Sequence, residues 1–166
     1  MKKHIYFAGG CFWGTEAYFA KLKGVISTLC GYVNGTTEDP TYEDVCRLDT
    51  GHAETVLVEY EPSAIQTEKL LTEFFKTIDP TAINRQGNDI GTQYRSGIYY
   101  IDEADAPIIK NYVLKKQEEY AKPIATEVLP LRNFYPAEEY HQQYLEKNPN
   151  GYCHVDLSLI NDEDRK

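Results

Sequence analysis

The sequence predicts an α/β (α+β) fold: a two-layer sandwich on a ferredoxin-like β-α-β-β-α-β core, with additional helices and a long coil-like C-terminal tail. Three observations predict it. The chain has 166 residues, enough for one well-cored domain and cramped for two. Hydrophobic residues make up 42% and charged residues 26%, which excludes disorder over most of the chain. Short β-branched or apolar runs alternate with segments of helical period in the order of that core.

Taken in order, His4 to Ala8 is a short apolar strand. It runs into Gly9-Gly10-Cys11-Phe12-Trp13-Gly14 and then a helix-like stretch from Thr15 to Leu22. Val25 to Val33 reads as a second strand. Asn34 to Gly51 is rich in Gly, Pro, Asp, Asn and Thr and reads as a long loop, a kind of segment that is often functional. Glu54 to Tyr60 alternates and is β-branched, so it is a strand. Ser63 with Gln66 forms a capping-box pattern, and Leu70, Leu71, Phe74 and Phe75 make the apolar stripe of a helix that ends before Pro80. Thr81 to Gln93 is a second polar loop, followed by a strand from Gly97 to Ile101. Asp102 is positioned to cap a helix running to about Tyr120. Ile124 to Leu129 is an edge strand between prolines, and Pro136 suits the first turn of a helix to about Lys147. The tail from about residue 148 is loop-like, and Asn161 to Lys166 is expected to fray. The expectation is a single domain over residues 1–166.

Charge and composition narrow the function classes. Lys and Arg total 17 against 26 Asp and Glu, a formal net charge of −9. With a sequence pI near 4.9, nucleic acid is not the expected partner, because phosphate binding needs a basic footprint. No apolar run reaches the roughly 20 residues that span a bilayer, so no membrane partner is expected. The N-terminus carries Lys2 and Lys3 but no apolar h-region or cleavage site, so no signal peptide is expected and a cytoplasmic location is. Four cysteines, Cys11, Cys30, Cys46 and Cys153, are too few for a disulfide scaffold at this length. They read as core residues or as chemistry. Met1 is the only methionine, while tyrosines number 14.

Cys11 sits where a strand turns into a helix. Backbone N–H groups at a helix N-terminus stabilise a thiolate, the nucleophilic form. Gly9, Gly10 and Gly14 let the backbone turn and would leave the sulfur exposed. An inert buried cysteine among core aromatics is the competing reading, yet a core position does not need three glycines around it.

Gly10-Cys11-Phe12-Trp13-Gly14 resembles the signature of the type A peptide methionine sulfoxide reductases. The resemblance continues through Pro40 to Cys46, Gly51-His52-Ala53-Glu54, Asp89 to Ser96, Phe134 to Gln142 and Asn148 to Cys153. It spans nearly the whole chain, in order and with matching spacings. It implies thiol-dependent reduction of methionine S-sulfoxide, free or in peptides and proteins, to methionine, as a repair of oxidative damage. Cys11 would attack the sulfoxide sulfur and Glu54 would protonate its oxygen as general acid. Tyr42 and Tyr94 carry over as hydroxyl donors to that oxygen, and Asp89 as a second carboxylate acting through water. Phe12 and Trp13 would form the apolar wall that receives the S-methyl group. Cys11 would be left as a sulfenic acid, which Cys153 resolves as a disulfide. No cysteine follows Cys153, so the implied reductant of that disulfide is thioredoxin itself, or a small dithiol. No metal or other cofactor is expected, activity should be confined to one sulfoxide epimer, and the chain is expected to be a monomer.

Strand alternation gives an independent hint for Glu54. It shares a face with Val56, Val58 and Tyr60, and if that face is the core the carboxyl is desolvated and its pKa rises. Cys30 and Cys46 read as small buried hydrophobes, and His52 and His141 as hydrogen-bonding groups of the fold. Two rival functions use the same cysteine. A cysteine hydrolase would take Cys11 with His52 or His141 and Asp89, but leaves Glu54, both tyrosines and Cys153 idle. A thiol redox sensor would use a Cys11–Cys153 bridge as its output, and needs no pocket of Gly-Cys-Phe-Trp-Gly type.

Overall fold

The computed structural model describes residues 1–166. In chain order the elements are β1 (Lys3–Ala8), α1 (Phe12–Ala20), β2 (Val25–Val33), α2 (Tyr42–Arg47), β3 (Ala53–Tyr60) and α3 (Thr67–Lys76). Then follow β4 (Arg85–Gln86), β5 (Asp89–Ile90), β6 (Gly97–Tyr100), α4 (Asp105–Gln117), β7 (Glu127–Pro130), β8 (Phe134–Pro136) and α5 (Tyr144–Lys147). Six strands form one sheet in the order β7-β6-β1-β3-β2-β8, and β4 and β5 form a separate two-residue hairpin. Every pairing in the large sheet is antiparallel except β6 with β7.

The apolar strand β1 is central, flanked by β3 and β6. Its alternation splits the molecule into faces. Ile5 and Phe7 point into the main core, while Tyr6 and Ala8 belong to a smaller cluster on the other side with Tyr99 and Val33. Val56, Val58 and Ile98 join Ile5 and Phe7. Tyr18 and Phe19 of α1, Leu70, Leu71 and Phe74 of α3, and Ile109 of α4 enter the same core, so these helices cover one face of the sheet. Phe7 is stacked between Phe19 and Phe74, with ring centroids 4.8 and 4.6 Å away. Full burial of such a ring stabilises by roughly 1.5–3 kcal/mol. The architecture is mixed α/β, as the sequence predicts.

Several elements depart from expectation. Helix α1 starts at Phe12, immediately after Cys11, and not at Thr15. The loop from Asn34 to Gly51 contains α2, started by a capping box in which Thr41 Oγ1 accepts from the Asp44 amide and Asp44 accepts from the Thr41 amide. The capping box expected at Ser63 and Gln66 does not form. Ser63 bonds the Glu61 carboxylate instead, and Gln66 precedes α3 with no side-chain cap. Asp102 accepts from the Ala104 amide in a turn, and α4 begins three residues later.

Pro136 does not start a helix: it ends β8, which pairs along β2 as the second edge of the sheet. The chain then makes a 3₁₀ turn at Glu139–His141, and Gln143 takes a left-handed conformation (φ 54°) that delays α5 to Tyr144. The last residues are anchored, not frayed. Leu22 bridges Arg165, the Lys23 amide donates to the Asp164 carbonyl at 2.8 Å, and the Lys166 amide donates to Lys21 at 2.9 Å. The tail also places Val155 and Ile160 in the main core.

Candidate active site

The end of β1, the start of α1, and the loops around α2 and β5 meet at Cys11. Gly10 turns the chain there with φ +77°, a region open to glycine at no steric cost. Cys11 is the N-cap of α1 but uses no side-chain capping bond. Its thiol is not exposed, as the glycines suggested: the residue keeps only 9% of its surface. Burial and the nearby Glu54 push the thiol well up, and the Trp13 amide at the helix start pulls it down only in part. Cys11 therefore rests as a thiol. Desolvation outweighs the helix terminus.

Glu54 is 1% exposed. It lies on β3 opposite Tyr32 of β2, on the face that carries Val56 and Val58, as the alternation predicts. One oxygen, Oε1, accepts from the Phe12 amide at 3.3 Å. The other, Oε2, is buried without a partner. Burial, reinforced by Asp89, raises the carboxyl to about 8 against the pull of the Phe12 amide. Glu54 thus holds a proton at neutral pH inside the core.

Tyr42 and Tyr94 are half-buried, and burial raises both phenols, reinforced at Tyr42 by its bond to Cys46 and at both by the charge of Glu54. Both remain hydroxyl donors. Tyr42 opens α2, and Tyr94 ends a 3₁₀ turn whose carbonyl takes the Gly10 amide at 3.1 Å. Asp89 sits on β5 and accepts from the Tyr152 hydroxyl at 3.1 Å. Burial, reinforced by the charge and contact of Asp89, pushes the Tyr152 phenol up to about 12. Phe12 is fully buried against Tyr32 and His141. Trp13 stacks on Tyr144 at 3.7 Å and donates its indole N–H to His141 Nδ1 at 2.9 Å. Cys153 is half-buried, its thiol donating to the Val155 carbonyl at 3.1 Å. All four cysteines are free. A groove of about 400 Å³ lies along α1, lined by Trp13, Ala17, Tyr144, Leu145, Pro149 and Cys153; neither Cys11 nor Glu54 lines it.

Three supporting residues escaped sequence reasoning. Glu138 bridges the site, taking the Tyr32 hydroxyl at 2.8 Å and the Tyr42 amide at 2.9 Å. Burial would raise its carboxyl, but the amide and hydroxyl bonds outweigh it and hold it below its usual range. Buried Glu16 ties Thr28, Cys30 and the Gln143 amide together at 2.9, 3.3 and 2.6 Å. His154 packs beside Gly10 and Gly14. The Phe134–Gln142 motif was a signal for Glu138; the other two had none.

Cys30 is buried, but Cys46 is exposed, contrary to its reading as a buried hydrophobe. It lies one turn after Tyr42 on α2, its thiol against the Tyr42 hydroxyl. His52 commits both ring nitrogens within the fold, to the Gly35 amide and the Thr37 carbonyl. His141 accepts from Trp13. His52 is therefore not left as a base for Cys11, whereas His141 Nε2 is buried without a partner; a hydrolase would still leave Glu54, both tyrosines and Cys153 idle. No group of three or more His, Cys, Asp or Glu is arranged to hold a metal. No helix is long and apolar enough to cross a membrane.

Comparison with known proteins agrees with this geometry. The family model of peptide methionine sulfoxide reductase matches residues 3–166. The peptide methionine sulfoxide reductase MsrA of Clostridium acetobutylicum is 59% identical over 96% of this chain and 98% of its own. Among solved structures, Mxr1 from Saccharomyces cerevisiae in reduced form superposes with a TM-score of 0.87 at 39% identity, covering 93% of this chain and 91% of that one. Mxr1 in complex with Trx2 gives a TM-score of 0.60 at 28% identity, over 86% of this chain and 84% of that one.

Proposed function

The chain belongs to the peptide methionine sulfoxide reductase family, and we infer that it is a peptide-methionine (S)-S-oxide reductase using Cys11 as nucleophile. One observation carries the assignment of roles: a buried carboxyl, Glu54, that keeps its proton near neutral pH and has an unpartnered oxygen, next to a buried thiol. A sulfoxide oxygen is a poor leaving group until protonated, and Glu54 is built to supply that proton. Tyr42 and Tyr94 hold the same oxygen through their hydroxyls. Cys11 attacks the sulfur, the substrate S–O bond breaks as the oxygen passes to the Cys11 sulfur, and methionine leaves behind a Cys11 sulfenic acid, the substrate sulfur reduced and the Cys11 sulfur oxidised by the same two electrons. Protonated Glu54 carries no charge, so one of the causes that hold the Cys11 thiol up, second to burial, is absent while Glu54 keeps its proton. Phe12 and Trp13 wall the S-methyl group, with Trp13 held by His141 and Tyr144. Asp89 helps to keep Glu54 protonated and reaches the substrate through water.

Cys153 then condenses with the sulfenic acid, and thioredoxin reduces the disulfide. The Trx2 complex of yeast Mxr1 supports thioredoxin as the reductant class. Cys153 lines the open groove along α1, which gives a reductant access that Cys11 lacks. We further propose a monomer working in the cytoplasm on free or protein-bound methionine sulfoxide, without a prosthetic group.

The test is an NADPH-coupled thioredoxin assay with separate S and R sulfoxides. Wild type should turn over the S epimer only. Cys11→Ser should be inactive, and Cys153→Ser should release one methionine per chain and then stall. Activity in Cys11→Ser, or steady cycling of Cys153→Ser with thioredoxin, would overturn these roles.

A further inference from the structure

His154 follows Cys153 directly and takes no part in the chemistry above. Both ring nitrogens are buried, and neither makes a well-formed hydrogen bond, although the Gly9 carbonyl faces the ring. The imidazole lies across the first turn of α1. A Cβ at Gly10 would stand 2.7 Å from Nε2, and a Cβ at Gly14 would stand 3.3 Å from Nδ1. That same Gly14 point is 3.1 Å from Cys153 Sγ. One edge of the ring therefore sits by Cys153 and the other by the residue preceding Cys11. Leaving a buried nitrogen unpaired costs about 1–3 kcal/mol, so simple packing would favour an apolar ring here.

We propose that His154 is the proton carrier of the resolving step, taking the thiol proton from Cys153 and delivering it to the oxygen that leaves Cys11. The proposal rests on the assignment of Cys11 as nucleophile and Cys153 as its resolving partner. The step balances internally. The S–H bond of Cys153 and the S–O bond of the Cys11 sulfenic acid break; the S–S bond and an O–H bond of water form. The Cys153 sulfur is oxidised, the Cys11 sulfur is reduced, and His154 ends as it began. The step needs such a group because burial raises the Cys153 thiol, the one that must give up its proton. Burial also holds His154 below its ordinary value, so the ring is neutral and can accept a proton. Asp89, from β5, opposes that burial and stabilises the imidazolium in transit. Cys153 is the other titratable group beside the ring, and Gln86 beside Gly10 is neutral.

The test separates two events in a single turnover with methionine S-sulfoxide: methionine release by rapid quench, and loss of both thiols. His154→Asn should release methionine within about twofold of wild type and close the disulfide about 100-fold more slowly. Its sulfenic acid should accumulate and be trapped by dimedone. Wild-type disulfide closure should rise with pH to a plateau below neutrality, whereas the variant should keep rising with thiol ionisation. If Asn disturbs the tail, His154→Ala with added imidazole serves, and imidazole should restore closure in proportion to its neutral form. Closure at the wild-type rate, equal slowing of both events, or no response to imidazole would overturn the proposal. Absence of any methionine burst in wild type would instead show that the underlying Cys11 assignment fails, and this proposal with it.

Discussion

A carboxyl that keeps its proton to about pH 8 turns Glu54 into an acid over the whole physiological range. Activity should therefore be present below that value and fall as pH rises through it, with Glu54 losing the proton it must donate. Glu54→Gln should abolish this alkaline limb and lower the rate of methionine release by about 10²–10⁴-fold. Stability should follow the same sign. The folded pKa lies above the ordinary 4.5, so the wild-type fold loses stability as pH rises from about 4.5 to about 8, and Glu54→Gln does not. Urea unfolding of both proteins across that window checks it. A wild-type activity profile flat to pH 9 would remove Glu54 as the acid. Glu54 was legible through the family resemblance, and period-two alternation placed it on one face with Val56, Val58 and Tyr60 without saying that this face is the core. Cys11 was only half legible: the helix start is local, but it is overridden by burial and by the charges of residues as distant in sequence as Glu54 and Asp89. His154 was not legible, since nothing in its neighbours forecasts the glycines it packs on.

At the scale of elements, α2 has only six residues, too few to persist without its capping box and its docking on Glu138. Thr41→Ala should cost about 1 kcal/mol in urea unfolding. It should also raise the half-saturating sulfoxide concentration more than it lowers the maximal rate of methionine release in Cys153→Ser single turnovers, because Tyr42 is the first residue of that helix. An unchanged half-saturating concentration would mean that Glu138 alone positions Tyr42. This helix was hidden in the sequence by the Gly, Pro and Asp around it, although Thr41 and Asp44 carry the capping pattern. The segment after Pro136 misled in the opposite direction. Pro136 suits a helix start locally, yet edge pairing along β2, the Glu138 bridge and the left-handed Gln143 held by Glu16 are tertiary facts. The tail was misread for the same reason: its anchors, Lys21 to Lys23, lie some 140 residues away in sequence.

For the whole molecule, the mixed α/β architecture was legible because strand and helix periods are local and their order limits the topology. What the sequence conceals is how the tail is held, and that bears on the redox cycle. The proposed Cys11–Cys153 bridge would close a loop of 142 residues. Chain entropy alone would then make the oxidised fold more stable than the reduced one by about 5 kcal/mol. By the thermodynamic cycle, the same amount would make the native disulfide harder to reduce than one in the unfolded chain, by about 110 mV. A bridge of that kind suits a structural disulfide, not one that thioredoxin must open each turnover. The reduced fold indicates where the gain is offset. Cys153 donates to Val155, Val155 and Ile160 are buried in the core, and Asp164 to Lys166 are bonded to Lys21 and Lys23. Drawing Cys153 onto Cys11 must give up part of that packing. The oxidised protein should therefore exceed the reduced one in unfolding free energy by clearly less than about 5 kcal/mol, and its tail amides should exchange faster with deuterium. Urea titrations of the two forms decide it: the full chain-entropy gain with unchanged tail protection would mean that the bridge forms without disturbing the tail at all.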